Sequence, residues 1–260
     1  MNNKSWLEAE NINAFKKGYK VINNLTLKIN NNERIFILGP NGSGKSSIVD
    51  LINRNIYPII CKNSTFKLFN KEFINIWEVR KSISTVNNEI KLRINPHLKV
   101  FDILISGLYG TFCKIKNPKR EDLYAANELI KQINLRDISN KDFGCLSDGE
   151  KQITLIARSI INNPKVLILD EPATNLDLKS KHFLIDKIQY LSKLGISILC
   201  ITHDISIITN DFNRVILLKD RKIIGDGTPN KLMNSENINN LFEINVKLIK
   251  NSNSWDVIRN

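Results

Sequence analysis

The chain has 260 residues, of which 42% are hydrophobic, a composition that is typical of a folded α/β domain and excludes a disordered chain. Its formal net charge is +12, but the lysines are spread along a chain that is also rich in Ile and Asn, which favours a compositional bias over a polyanionic partner. No apolar run approaches the roughly 18 residues that cross a bilayer, and the first residues lack the apolar core of a signal peptide, so we expect a cytoplasmic protein.

The first predicted elements are two strands before residue 30. Residues 7–13 and 20–29 alternate between apolar and polar side chains, which favours a hairpin of edge strands. Phe15 and Tyr19 lie between these two runs. Spacing alone favours core packing over stacking on a nucleotide base for either ring.

A glycine-rich loop follows the next predicted strand, residues 34–38, and precedes a predicted helix at 46–52. Glycine lets the backbone turn tightly and approach a polyphosphate with several N–H groups pointing inward. Lys45 would reach the β- and γ-phosphates, and the Ser46 hydroxyl would bind Mg²⁺ at the helix N-terminus. The loop has the P-loop pattern G-x-x-x-x-G-K-S and reads Gly39-Pro40-Asn41-Gly42-Ser43-Gly44-Lys45-Ser46.

The middle of the chain changes from strand patterns to helix patterns. Residues 64–69 and 82–86 predict strands, whereas residues 92–161 carry few strand signals. Apolar residues recur at helical spacing over 100–108 and 122–133, which predicts helices. We interpret 92–161 as an inserted helical subdomain. Near its end, Ser147 and Glu150 have the spacing of a helix capping box.

Two acidic residues follow the predicted buried strand at 166–169. Asp170 and Glu171 come at its carboxyl end, the edge at which parallel sheets bind ligands. One carboxylate can hold Mg²⁺ while the other orients or deprotonates a water molecule. In a chain with a P-loop, this pattern favours catalysis over a solvated strand end.

Helix and strand patterns continue to about residue 224. A helix is predicted to end before Gly195, and a buried strand follows at 196–201. His203 comes at the carboxyl end of this strand, where a γ-phosphate would lie. Strands are predicted at 214–219 and 222–224, and only short helices and turns beyond Pro229.

Taken in order, these motifs resemble the nucleotide-binding subunit of ATP-binding cassette (ABC) transporters over residues 7–242. The resemblance implies an α/β fold of the P-loop NTPase class, with a mixed or parallel sheet core, antiparallel edge strands and an inserted helical subdomain. It implies a single ABC ATPase domain at 1–242 and a C-terminal tail at 243–260. Within the domain, 1–91 and 162–242 would form a RecA-like core with a β-subdomain, and 92–161 the helical subdomain with the signature motif.

The resemblance also implies roles for the matching residues in ATP binding and hydrolysis with Mg²⁺. Lys45, Glu171 and His203 would be catalytic, with Glu171 polarising the attacking water and His203 contacting the γ-phosphate. Ser46, Asp170 and Asn88 would hold Mg²⁺. The implied nucleotide-binding residues are Gly39, Pro40, Asn41, Gly42, Ser43, Gly44, Lys45, Ser46 and Ser47 of the P-loop, Phe15 on adenine with Tyr19 as the fallback, Ser147 and Gly149 of the signature on the ATP of a second protomer, and Asp177 of the D-loop, which crosses to that protomer.

Three positions depart from the family pattern. Asn88 stands where a coupling-loop glutamine is usual, and its side chain is one methylene shorter, so it would reach Mg²⁺ or the attacking water less well. Asp148 replaces a commoner small residue of the signature. Glu150 replaces a commoner glutamine. The last two changes also occur in the family and predict mild effects.

The resemblance implies a homodimer or pseudo-dimer of ATPase subunits that drives a separate integral membrane permease from the inner face of the cell membrane. A substrate-binding protein is a further candidate partner, and nucleic acid is disfavoured. A single cassette without a fused membrane segment favours a bacterial-type importer, and residues 100–107 resemble the molybdate or iron uptake subgroup. The alternatives are a soluble ABC ATPase of iron–sulfur assembly or of nucleic-acid and translation processes, and a non-hydrolysing binder, which the complete catalytic set disfavours.

Overall fold

A computed structural model describes residues 4–251 and 254–259 of the chain. The fold divides into two compact units. The first unit contains the chain up to Arg80 and from Ser197 onwards, and the second unit contains Lys81–Ile196. The predicted helical subdomain, residues 92–161, falls within the second unit, and its exact limits stay a prediction.

The chain contains both strands and helices, with a run of helices over residues 88–160 between two of the strands. In chain order, the strands are β1 (Ser5–Lys16), β2 (Tyr19–Asn30), β3 (Arg34–Leu38), β4 (Pro58–Ile59), β5 (Thr65–Leu68), β6 (Ile83–Val86), β7 (Val166–Asp170), β8 (Ser197–Thr202), β9 (Arg214–Lys219), β10 (Lys222–Gly227), β11 (Val246–Lys250) and β12 (Trp255–Arg259). The helices are α1 (Lys45–Ile52), α2 (Ile76–Ser82), α3 (Asn88–Arg93), α4 (Val100–Leu108), α5 (Arg120–Gln132), α6 (Asp148–Ile160), α7 (Leu178–Ser192), α8 (Pro229–Leu232) and α9 (Ser235–Phe242). In the described part of the chain, none of the helices is both long and apolar enough to cross a membrane.

The predicted hairpin is confirmed and is longer than predicted, but β1 is an inner strand of its sheet and not an edge strand. β1 pairs antiparallel with β2, and the short strands β4 and β5 pair antiparallel with β1. Lys17 and Gly18 form the tight turn, with φ angles of +51° and +82°. Two-residue hairpin turns need this left-handed conformation because its twist matches that of the strands.

Four strands of the first unit lie side by side in the order β10, β9, β3, β8. β3 pairs parallel with both β8 and β9, and β10 is antiparallel to β9. Ile35, Phe36, Ile37 and Leu38 are fully buried, as expected of a central parallel strand that is covered on both faces. This arrangement places the end of β3 at the centre of the unit.

The second unit is built around β6, β7 and helix α6. β6 pairs parallel with β7, and α6 packs against α4, α7 and β6. Helices α4 and α6 approach so closely at Gly107 that a Cβ at this position would lie only 2.5 Å from Arg158 O. Glycine at this position therefore permits the packing of the two helices.

The C-terminal tail differs from the prediction of short helices and turns alone. β11 and β12 pair as an antiparallel hairpin, and Trp255 at the start of β12 is 1% exposed. The hairpin is held by contacts outside its own two strands, since the N–H groups of Val246 and Leu248 donate to side-chain oxygens of α9. Sequence periodicity cannot report such contacts. Residues 252, 253 and 260 of the predicted tail lie outside the described residues.

Candidate active site

The P-loop joins the end of β3 to α1 through backbone angles that favour glycine. Gly42 and Gly44 have φ angles of +80° and +102°, where any residue with a Cβ is strained. Gly44 O accepts hydrogen bonds from the N–H groups of Ser47 (3.1 Å) and Ile48 (3.2 Å), which begins α1. As the N-cap, Gly44 brings no side-chain acceptor, so the first turn can present its N–H groups and positive dipole end to an anion.

Gly39 is required for the close approach of the loop to β9. A Cβ at this position would lie 2.2 Å from Leu218 O and 2.8 Å from Ser43 Oγ. The first of these atoms belongs to the backbone of β9 and cannot move aside. Glycine is therefore the residue that fits between strand and loop.

The polar groups inside the P-loop fit a phosphate ligand. Lys45 is 5% exposed, and its ammonium donates hydrogen bonds to Gly39 O (2.8 Å) and Pro40 O (3.0 Å). The buried Ser43 Oγ has no hydrogen-bond partner among the described residues. Burial of an ammonium and of an unsatisfied hydroxyl is costly unless an oxygen ligand completes their bonding. The donors present in the loop match a polyphosphate.

The aromatic residues at the tip of the β1–β2 hairpin are exposed. Phe15 is 45% and Tyr19 is 76% exposed, so the core packing that spacing favoured is wrong for both rings. The neighbouring Lys16 Nζ lies 2.6 Å from Asp50 Oδ2 in α1, which ties this end of β1 to the P-loop helix. Stacking of Phe15 on adenine, with Tyr19 as the fallback, stays a prediction.

His203 lies at the sheet edge predicted for it. Leu38 at the end of β3 is paired in register with Thr202 at the end of the parallel strand β8. Gly39 and His203 therefore both lie directly after the carboxyl ends of two neighbouring parallel strands, which is where parallel sheets bind ligands. The side chain of His203 is exposed, which leaves it accessible to a ligand.

Sequence reasoning missed the contact of Arg221 with the P-loop. Arg221 N–H donates to Ser43 O (2.9 Å), and its Cγ lies 3.5 Å from the position of a Cβ at Gly44. In the sequence, Asp220-Arg221 signals only the turn between β9 and β10. No local pattern could indicate the contact, because it depends on β9 lying beside β3.

The second unit places two of the three predicted metal-binding residues, Asn88 and Asp170, and the predicted water-activating residue, Glu171, at the same end of two paired strands. Val86 at the end of β6 pairs with Leu169 in β7. Asp170 is the last residue of β7, and Asn88 and Glu171 lie just beyond the carboxyl ends of the two parallel strands. Glu171 has a φ of +51°, which is uncommon for a residue other than glycine. Such backbone strain persists chiefly at functional sites.

The predicted coupling loop begins with a helix cap. Asn87 Oδ1 accepts a hydrogen bond from Ile90 N–H at 3.1 Å, so Asn87 is the N-cap of α3 and Asn88 is its first residue. The side chain of Asn88 is exposed. Asn87 is thus used by the helix, which favours Asn88 as the residue in the position of the family glutamine.

We expect Asn88→Gln to leave ATP affinity nearly unchanged, because the P-loop is predicted to carry most of the phosphate contacts. The measurement is titration of the purified chain with a fluorescent ATP analogue. Asn87→Ala serves as the matched control, and its loss of the N-cap is expected to destabilise the chain by about 1 kcal/mol. A large loss of affinity in Asn88→Gln would contradict its place at the coupling loop.

The signature motif forms the capping box that its spacing predicted. Ser147 Oγ accepts the N–H of Glu150 at 3.2 Å, and Glu150 Oε2 accepts the N–H of Ser147 at 2.7 Å. The second bond lowers the pKa of the Glu150 carboxyl below its ordinary value. The box starts α6 at the signature, while contact of Ser147 with a nucleotide stays a prediction.

Two features of the signature were not visible in the sequence. Asp148 Oδ1 lies 2.6 Å from Lys91 Nζ, and this lysine belongs to α3, the helix that begins at Asn88. The ion pair therefore links Asp148 to the helix that begins at Asn88. Separately, a Cβ at Gly149 would lie 2.6 Å from Ser180 Oγ and 2.7 Å from Ser180 Cβ, so the signature glycine permits α6 to approach α7.

We expect Gly149→Ala to destabilise the chain by about 1–3 kcal/mol, because the added methyl group overpacks the contact with Ser180. Thermal unfolding of the purified variants is the measurement. Ser180→Gly removes the crowded atoms and should restore most of the lost stability in the double variant. Equal stability of Gly149→Ala and the parent chain would disprove the crowding.

Asp177 has a local structural role. It is the N-cap of α7, and its Oδ1 accepts the N–H of Ser180 at 2.7 Å, which lowers the pKa of the carboxyl. A cavity of about 670 Å³ is lined by Asp177 together with Ser147, Gly149 and Ser180. The signature and the predicted D-loop therefore lie next to each other in the second unit.

Comparisons with known proteins agree with these motifs. The family described as ABC transporter matches residues 22–174. The uncharacterized ABC transporter ATP-binding protein YmeB of Lactococcus lactis is 30% identical over 97% of this chain and 98% of its own length. The spermidine/putrescine import ATP-binding protein PotA of Haemophilus influenzae is 30% identical over 95% of this chain and 65% of its own.

A solved structure extends the similarity to the fold. CbiO1 of Clostridium perfringens, described as part of the ABC transporter complex cbiONQ, superposes with a TM-score of 0.79. It is 26% identical and covers 90% of this chain and 93% of its own. Together with the P-loop, the acidic strand end and the signature, these similarities show that the chain belongs to the ABC transporter family, as an ATP-binding and ATP-hydrolysing subunit.

Proposed function

We propose that the chain powers a bacterial-type importer, in which ATP binding and hydrolysis drive a separate integral membrane permease. The P-loop carries this proposal, because its buried Lys45 ammonium and Ser43 hydroxyl match the oxygen atoms of a polyphosphate. Import is supported by the similarity to the PotA protein, and a separate permease by the cbiO1 protein of the cbiONQ complex. The chain would work at the inner face of the cell membrane.

Each group of the P-loop has a definite task in binding ATP. The Lys45 ammonium would leave the carbonyl oxygens of Gly39 and Pro40 and bind the β- and γ-phosphates, exchanging neutral acceptors for charged ones. The first turn of α1 would add N–H groups to the phosphates. Ser47, which follows Ser46 in this turn, would also bind the nucleotide. Phe15 would stack on the adenine.

The acidic strand end and the histidine would act on the γ-phosphate and the attacking water. Glu171 would orient this water and accept its proton, and His203 would hold the γ-phosphate. Ser46, Asp170 and Asn88 carry the hydroxyl, carboxylate and amide oxygens that Mg²⁺ accepts as ligands. When bound, Mg²⁺ would neutralise the negative charge that develops on the phosphate oxygens.

The signature residues would serve a second copy of the chain or a similar subunit. The capping box of α6 uses the N–H groups of Ser147 and Glu150, so the N–H groups of residues 148 and 149 and the positive dipole end of the helix would serve a phosphate. Ser147 and Gly149 would therefore bind the ATP of the partner protomer, with Asp177 beside them. This arrangement predicts an ATP-dependent dimer.

The proposal is tested by isolating the tagged full-length chain from mild-detergent extracts of its host's membranes, with ATP present. We expect a multispanning membrane protein to co-purify with the parent chain and with Glu171→Gln. Mass spectrometry of the recovered proteins identifies the permease and any substrate-binding protein. Recovery of soluble partners alone would overturn the transport role and would favour iron–sulfur assembly or nucleic-acid processes.

A further inference from the structure

The C-terminal hairpin, formed by β11 and β12, is anchored to the helices that precede it. Val246 N–H donates to Asn239 Oδ1 (3.0 Å), and Leu248 N–H donates to Ser235 Oγ (2.9 Å). The Lys250 ammonium donates to an α8 side chain at 2.8 Å. These bonds hold β11 on the α8–α9 region and leave β12 as the outer strand.

β12 is in turn attached to the histidine loop, which we define as residues 203–209. Ser254 forms an antiparallel bridge with Thr209, and β12 packs against the 3-10 turn Ile205–Ile207. Trp255 is 1% exposed, and Ile207 is 2% exposed. The hairpin thus covers the segment that directly follows His203.

Hydrogen bonds within the histidine loop connect this covered segment to His203. Asp204 N–H donates to Oγ1 of the buried Thr202 at 2.9 Å. Asp204 Oδ1 accepts the N–H of Ser206 at 2.9 Å and its hydroxyl at 2.6 Å. The loop is therefore attached at both ends, to β8 before His203 and to the hairpin at Thr209.

A cavity lies beside the contact of the hairpin with the histidine loop. This cavity of about 740 Å³ is lined by His203 and Asp204 on one side and by residues of the hairpin, including Trp255, on the other. The imidazole therefore has space on this side. The loop that carries the imidazole contacts β12, the strand that begins with Trp255.

We propose that the C-terminal hairpin positions His203 for ATP hydrolysis, with Trp255 as the positioning residue. The inference rests on the proposed role of His203 at the γ-phosphate. Removal of the indole would leave a void beneath residues 205–209 and loosen the loop, while the P-loop would keep its contacts. The hairpin would then affect the hydrolysis step more than nucleotide binding.

The test compares kcat and KM for ATP in Trp255→Ala, Trp255→Phe and the parent chain, all at full length. We expect Trp255→Ala to lower kcat about tenfold, since small misplacements of a catalytic group are costly, with KM nearly unchanged. Trp255→Phe should restore most of kcat because it refills the void. Lys247→Ala, an exposed change on β11, is the matched control and should leave kcat unaltered.

A double variant separates positioning of His203 from general destabilisation. In a His203→Ala background, the Trp255→Ala change should have almost no further effect on kcat, because the group on which it acts is gone. Independent, multiplicative losses would overturn the proposal, as would an unchanged kcat in Trp255→Ala. If His203→Ala itself hydrolyses ATP at the parent rate, the proposed role of His203 fails instead.

Thermal unfolding of each variant accompanies the kinetics. If Trp255→Ala does not fold, Trp255→Leu, which keeps an apolar side chain of smaller volume, takes its place in the same comparison. If the loss of apparent kcat equals the fraction of unfolded enzyme, so that turnover per folded molecule is unchanged, the hairpin serves folding alone and the proposal is overturned.

Discussion

Glu171→Gln should abolish turnover while ATP binding persists. The amide keeps the size of the side chain but cannot accept a proton from water, so we expect kcat to fall about 10²- to 10⁴-fold, the range for loss of a general base. ATP affinity should stay close to that of the parent chain, since the P-loop is unaltered. Phosphate release measures the rate, and gel filtration with light scattering in ATP should show a stable dimer.

A matched control for this change lies in the same unit. Glu128 forms an exposed ion pair with Lys131 three residues away, and Glu128→Gln removes the same charge far from the strand edge that carries Glu171. Its ATPase rate should equal that of the parent chain. Turnover at the parent rate in Glu171→Gln would show that the role assigned to this carboxylate is wrong.

Lys45→Ala should remove most of the affinity for ATP. The ammonium is buried within the P-loop and bonded to Gly39 O and Pro40 O, from which it can move to a phosphate. Charge-assisted hydrogen bonds of this kind contribute about 1.5–3 kcal/mol, so we expect about a 10- to 100-fold loss of affinity. Calorimetric titration with ATP in the presence of Mg²⁺ is the measurement.

The control for Lys45→Ala is a lysine of the first unit that takes part only in surface pairing. Lys71 lies 2.7 Å from Glu78, and both side chains are more than half exposed. Lys71→Ala should bind ATP as tightly as the parent chain. Equal ATP affinity in Lys45→Ala would contradict the phosphate-binding role of the loop.

The chemistry of the site could be predicted from the sequence because it resides in short contiguous motifs. Glycine at positions 42 and 44 permits the turn of the loop. The helix that begins at Lys45 follows from the helical spacing of the apolar residues after it. The acids Asp170 and Glu171 follow an uninterrupted apolar run, which marks the end of a buried strand. His203 follows a second run of the same kind.

Contacts between distant segments could not be predicted in this way. The link between Asp148 and Lys91 spans 57 residues, and the close approach of Gly149 to Ser180 joins two helices. Arg221 reaches the P-loop only because β9 lies beside β3. None of these pairs leaves a periodic signal, since each depends on how strands and helices pack.

By itself, the sequence determined the P-loop, the acidic strand end, the capping box at Ser147 and the fold class, because hydrophobic period, glycine and capping residues act over a few neighbouring positions. Only the tertiary structure decided that Phe15 and Tyr19 are exposed and that the tail forms a hairpin. The exposure of the two rings and the attachment of the hairpin to residues 205–209 depend on surfaces supplied by remote parts of the chain. Burial of Trp255 against the histidine loop is the clearest case.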